Sequence, residues 1–235
     1  MFEANLLTFL SVGFLLGLRH ALDADHLAAV STVLAERPSM RASGLVGFWW
    51  GVGHTLTLML VGAVVLVLGV HIPEPFALLA ESGVGLLLVV LGGTLALKLF
   101  RERWHLHRHV HDGEPHVHLH SHHRREDHAH PHWARQSLRP LLIGMAHGVA
   151  GSAALMLVIV SNTSSIGQGL LYIAVFGIGS IGGMLAIGLT LSVPVVYSRA
   201  IGQRAFFAVQ GAASLGSVGL GLWMLYRFVF SPDGF

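Results

Sequence analysis

The chain has 235 residues, 53% hydrophobic and 11% charged, with no cysteine and a formal net charge of +2. Soluble domains carry about 25% charged residues, so the composition argues against an aqueous globule. The missing cysteines exclude disulfides and thiolate metal ligands. The pI near 9.5 reflects basic residues that flank apolar runs, where they set topology and touch anionic lipid, and nucleic acid is not an expected partner.

Six apolar runs reach the roughly 20 residues needed to cross about 30 Å of hydrocarbon. They fall at about 5–35, 43–69, 78–100, 139–160, 167–194 and 206–229. The expected fold class is an all-α integral membrane protein of six transmembrane helices. Met1-Phe2-Glu3-Ala4 lacks a basic leader, so the first span is expected to be retained. That first run is too long for one upright helix and is either strongly tilted or broken near its middle.

Its middle reads Arg19-His20-Ala21-Leu22-Asp23-Ala24-Asp25-His26. Ionisable groups inside an apolar span are expensive and mark an ion or substrate pathway. At 100° per residue, His20, Asp23 and His26 share a stripe of about 120° on a regular helix. Asp25 points elsewhere, and it reaches the site only if the backbone unwinds or if it orients a ligand from behind. Arg19 and Asp23 are four residues apart and suited to an ion pair, which would make Asp23 a structural partner instead of a ligand.

The second run carries His54 within Gly51-Val52-Gly53-His54-Thr55, and the fourth carries His147 within Gly144-Met145-Ala146-His147-Gly148. Both stand near mid-span and are candidates for the same site. His71, beside Pro73, is read as interfacial. Between the third and fourth runs, residues 101–138 hold His105, His107, His109, His111, His116, His118, His120, His122, His123, His128, His130 and His132. Such a tract binds metal by composition. Neutral imidazole suits nickel, cobalt, copper and zinc, so the loop is expected to capture or sense metal.

With six spans, every Lys and Arg except Arg19 and Arg227 falls in, or beside, loops on one side of the membrane. The positive-inside rule makes that side cytoplasmic and puts both termini outside. The halves resemble each other at an offset near 127 residues. Leu16-Gly17-Leu18-Arg19-His20-Ala21-Leu22 aligns with Ile143-Gly144-Met145-Ala146-His147-Gly148-Val149, and Gly51-Val52-Gly53-His54 with Gly177-Ile178-Gly179-Ser180. Three spans per half force the second half to enter upside down, as in many secondary transporters. The expected organisation is a three-helix repeat at 1–100, a His-rich loop at 101–138 and a second three-helix repeat at 139–235.

Arg19 through Leu27 resembles the signature of the nickel/cobalt transporter family, in which a histidine is followed after four residues by Asp-His. Gly53-His54-Thr55 resembles that family's second-helix histidine motif. Gly144 through Ala154 looks like the shorter branch named after a urease accessory membrane protein. The chain departs from larger members in lacking acid-bearing motifs in later helices. The resemblance implies a metal site with His20, Asp25 and His26 as ligands, and Asp23 and Arg19 also match the signature; in the expected site His54 and His147 complete or gate it, and Asp23 is either a further ligand or the partner of Arg19. The resemblance also implies Ni²⁺ or Co²⁺ as transported substrate, no prosthetic group, a multi-pass location in the inner membrane, and a cytoplasmic metallochaperone or urease accessory protein as partner.

No phosphate-binding loop motif exists and Lys98 is the one lysine, so an intrinsic ATP motor is not expected. The leading expectation is a secondary transporter that takes up Ni²⁺ or Co²⁺, with efflux as its nearest rival. A membrane di-iron enzyme using His116, His120, His122 and His123, and a metal sensor, are the weaker alternatives.

Overall fold

The computed structural model describes residues 2–36, 39–103, 106–111, 114–119, 133–163 and 165–230. In chain order the elements are α1 (Phe2–His20), α2 (Ala24–Ala35), α3 (Met40–Leu68), α4 (Glu74–Arg103), β1 (Leu106–His111), β2 (Glu114–Leu119), α5 (Trp133–Asn162), α6 (Ile166–Ile201) and α7 (Gln203–Phe230). Helices α3, α4, α6 and α7 are long and apolar enough to cross a membrane, and the bent pair α1–α2 makes a fifth candidate. Helix α5 occupies the fourth expected run without being among these five.

Among the described residues the one departure from an all-α chain lies in the His-rich segment. There β1 and β2 pair antiparallel, with His107 opposite His118 and His109 opposite His116. An alternating pattern has the period of a strand, not of a helix. His105, His120, His122, His123, His128, His130 and His132 lie outside the described residues.

The overlong first run is broken, not merely tilted, and its two halves bend by 52°. Helix α1 closes with two tight turns, Leu22 N–H donating to Arg19 O at 2.8 Å and Asp23 N–H to His20 O at 3.1 Å. These satisfy carbonyls that a helix end otherwise leaves orphaned. Asp23 then takes an extended conformation, φ −61° and ψ 144°, and caps α2. The charges suit the two ends so created: Arg19 and His20 sit in the last turn of α1, and Asp25 in the first turn of α2. Cations are favoured at helix C-termini and anions at N-termini.

Helix α3 packs on both α5 and α6, α1 packs on α6, and α4 packs on α7, with α2 wedged against α7, α4 and α6. Close approach comes from glycine. A Cβ on Gly17 would strike the Phe176 carbonyl, and one on Gly144 would strike the Trp50 carbonyl. Serines add hydrogen bonds between α7 and α4, from Ser214 Oγ to Gly92 O at 2.8 Å and from Ser217 Oγ to Leu88 O at 2.9 Å. Histidines and serines are buried among the apolar core, and Leu60, Val67, Leu86, Leu97 and Leu215 are exposed outside, which matches a surface solvated by lipid.

Candidate metal site

The break between α1 and α2 stands where α3 and α5 bring their mid-helix histidines. His26 is 2% exposed, His54 0% and His147 1%, and ligand nitrogens of His20, His26 and His54 lie within 4.8 Å of one another. His20 Nε2 is 3.0 Å from His54 Nε2. Two imidazole nitrogens, each about 2.0–2.1 Å from one ion and at right angles, stand about 2.9 Å apart, the spacing of neighbouring ligands in the tetragonal sites that Ni²⁺ favours. His147 stands just behind, with its ring centroid 5.2 Å from that of His26.

Three of the four imidazoles are oriented through Nδ1. His20 Nδ1 is 2.8 Å from Asp23 Oδ2, His26 Nδ1 is 3.0 Å from Asp25 Oδ1, and His147 Nδ1 is 3.1 Å from Ile143 O. With Nδ1–H donated to an oxygen, each Nε2 keeps its lone pair, an arrangement that orients a metal-binding imidazole and raises its basicity. In keeping with this, His26 Nε2 and His147 Nε2 are buried without a hydrogen-bond partner. Since His20 Nε2 is then an acceptor, the hydrogen between the pair is assigned to His54 Nε2, which leaves His54 Nδ1 bare and unpartnered.

All six expected residues come together, but the carboxylates stand differently from expectation. Asp23 is engaged by His20 and not by Arg19, which is exposed and makes no ion pair among the described residues. The physical reason is the break. An unbroken helix would set Arg19 beside Asp23, whereas the extended Asp23 turns its carboxylate back to His20, and it makes no side-chain cap to its own helix. The regular-helix stripe of His20, Asp23 and His26 is lost for the same reason. Asp25 faces the Nδ1 of His26, the orienting position of its two alternatives.

Several residues escape a reading of sequence alone. The Trp50 ring lies 5.0 Å from that of His147, and the Phe176 ring 5.5 Å from that of His20. A cavity of about 280 Å³ opens from His20, His26 and His147 along the start of α4 and the end of α7, past Glu81, Trp223 and Arg227. At the opposite end of α2, Glu36 pairs with Arg139 Nη1 at 3.1 Å and Lys98 Nζ at 3.9 Å, tying α2 to α5 and α4. An acid inside an apolar run is the available signal for Glu81; the aromatic rings carry none.

Comparison with known proteins is consistent with this geometry. Residues 6–193 match the family described as high-affinity nickel-transport protein. The chain is 34% identical over 219 residues to the urease accessory protein UreH of Bacillus sp. (strain TB-90), covering 91% of this chain and 90% of that one. It is 35% identical over 86 residues to the high-affinity nickel transport protein of Cupriavidus necator, covering 36% of this chain and 23% of that one. No solved structure matches the chain.

Proposed function

The chain belongs to the high-affinity nickel-transport family, and on that premise we propose that it takes up Ni²⁺, and Co²⁺ with it, across the cytoplasmic membrane as a secondary transporter. The observation that carries this is the convergence of His20, His26, His54 and His147 from three separate parts of the chain, with Nε2 lone pairs left buried and unsatisfied. A dication crossing hydrocarbon must exchange its hydration shell for protein ligands, and imidazole nitrogens suit nickel and cobalt better than magnesium or calcium. In this reading the imidazoles are the ligands, while Asp23 and Asp25 stand behind them as orienters. The two carboxylates also supply the negative charge that a bound dication balances.

The reading extends to six spans in two inverted repeats, 1–100 and 139–235, with α1–α2 as one broken span and α5 as the fourth. Reciprocal close approaches support it. Gly17 against the Phe176 carbonyl is matched by Gly144 against the Trp50 carbonyl, and Gly53 against Leu141 by Gly179 against Phe14, each at the offset of the sequence repeat. With the basic loops cytoplasmic and both termini outside, the cavity beside α4 and α7 leads outward. Inward movement of a dication then gains about 4.6 kcal/mol per 100 mV, twice the single-charge value. The His-rich segment 101–138 would receive the ion and pass it to a cytoplasmic metallochaperone or urease accessory protein.

Accumulation of radiolabelled Ni²⁺ and Co²⁺ in membrane vesicles of known orientation tests the reading. Uptake driven by an inside-negative potential is expected in right-side-out vesicles. Accumulation confined to inverted vesicles would make the protein an exporter.

A further inference from the structure

Glu81 is half-buried in α4, in a helix that otherwise qualifies as a membrane span, and it lines the same cavity as His26 and His147. The other carboxylates of that cavity are occupied, Asp23 by His20 and Asp25 by His26. Glu81 makes no hydrogen bond and no direct ion pair with any described residue. Arg227 lines the cavity from α7 and attracts Glu81 through space, while its guanidinium stands 5.0 Å over the Trp223 ring. A half-buried carboxylate that Arg227 meets only through space keeps its oxygen lone pairs free for a further cation.

The far end of the cavity supplies the second observation. His26 Nε2 and His147 Nε2, on side chains almost fully buried, are unpartnered where the cavity ends. The cavity thus carries an oxygen ligand toward its mouth and nitrogen ligands at its floor. Its volume of about 280 Å³ is room for an ion that still carries several waters, each of which takes about 30 Å³ in the liquid.

We propose that Glu81 is a capture station for the hydrated divalent cation, which it holds at the mouth before the imidazoles replace the water. The inference rests on the transport reading above and adds a division of labour to it. A lone carboxylate separates dications from monovalent ions but takes Mg²⁺ as readily as Ni²⁺, whereas the imidazoles discriminate against hard ions. Mg²⁺ should therefore compete at the mouth without being carried.

The test uses full-length protein in proteoliposomes with an inside-negative potential and measures initial rates of labelled Ni²⁺ uptake. In the wild type, millimolar Mg²⁺ is expected to raise the apparent KM while Na⁺ at matched ionic strength is not; absence of that competition overturns the proposal without any variant. Glu81→Gln is expected to raise KM about tenfold, the scale on which a focused charge enriches its counter-ion, with kcat within about twofold, and to abolish Mg²⁺ competition. Glu81→Asp should retain most of both. An unchanged KM, or a fall in kcat alone, would make Glu81 a structural or gating residue instead. The His20→Ala, His26→Ala double variant separates the two readings. If it still transports saturably while Glu81→Gln raises KM, the imidazole site fails and the capture station stands. If it is inactive while Glu81→Gln behaves as wild type, the imidazole site stands and the capture station fails.

Discussion

The broken pair α1–α2 and the continuous helix α5 carry matching stretches of sequence, Leu16 to Leu22 and Ile143 to Val149, and fold them differently. After His20 the first copy continues into Asp23 and Asp25, acids that favour the start of a new helix. After His147 the second continues into Gly148, Val149 and Ala150, which bring no acid to start a new helix, and α5 runs straight through. The consequence reaches the imidazoles. His20 and His26 are oriented by side-chain carboxylates at a break, and His147 by the carbonyl of Ile143 one turn earlier in its own helix. In the first copy the imidazoles thus flank a break between two helices, and in the second the imidazole lies within an unbroken one.

The sharpest way to break this comparison is to remove the proposed ligands. His20→Ala and His26→Ala should each lower Ni²⁺ uptake about 100-fold or more at unchanged membrane abundance, because losing a ligand exceeds the 10- to 100-fold loss typical of its orienting partner. His147→Ala should fall short of both. Equal losses at all three positions would erase the distinction between the broken and the continuous copy.

A smaller effect is expected from the orienting groups. Asp25→Ala should weaken apparent Ni²⁺ affinity about 10- to 100-fold, and Asp25→Asn less, because an amide oxygen still accepts from His26 Nδ1–H. Asp23→Asn should behave like Asp25→Asn, and neutralising Arg19 should give no rescue, since Asp23 faces His20. Rescue by an Arg19 variant in uptake assays would restore the unbroken-helix arrangement.

The smallest test concerns the repeat itself. Gly17→Ala and Gly144→Ala both push a methyl group into a facing backbone carbonyl, a kind of overpacking that costs about 1–3 kcal/mol. The two should lower the thermal midpoint of the purified protein by similar amounts. A large effect from one and none from the other would mean that the two close approaches are not equivalent.

The residues that converge here are legible in the sequence because burying charge in hydrocarbon is expensive, and His20, Asp23, Asp25 and His26 stand with Arg19 in the middle of an apolar run. Their partnerships are not. Whether Asp23 meets Arg19 or His20 depends on the dihedral angles of a single residue, which the spacing of charges along an ideal helix does not contain. The hairpin does have a signal, since Asp112-Gly113 between alternating stretches is a strong turn dipeptide, but composition alone, which marks the segment as metal-binding, does not register it. Glu81 does not stand out because one acid near the edge of an apolar run looks interfacial; only the packing of α4 against α7 makes it part of a cavity. Trp50 and Phe176 reach the imidazoles through contacts between distant spans, which no local pattern encodes.

The 3.0 Å approach of His20 Nε2 to His54 Nε2 bears on the half of a carrier's cycle in which nothing is carried. A transporter that has delivered its cargo must reset, and each buried lone pair that finds a hydrogen makes that journey less unfavourable. With the tautomers assigned above, the Nε2–H of His54 points at the Nε2 lone pair of His20, so the two rings attract each other instead of repelling. His54 Nδ1 is bare, so a change of tautomer would move that hydrogen across the ring and turn Nε2 into a free lone pair without any proton leaving the side chain.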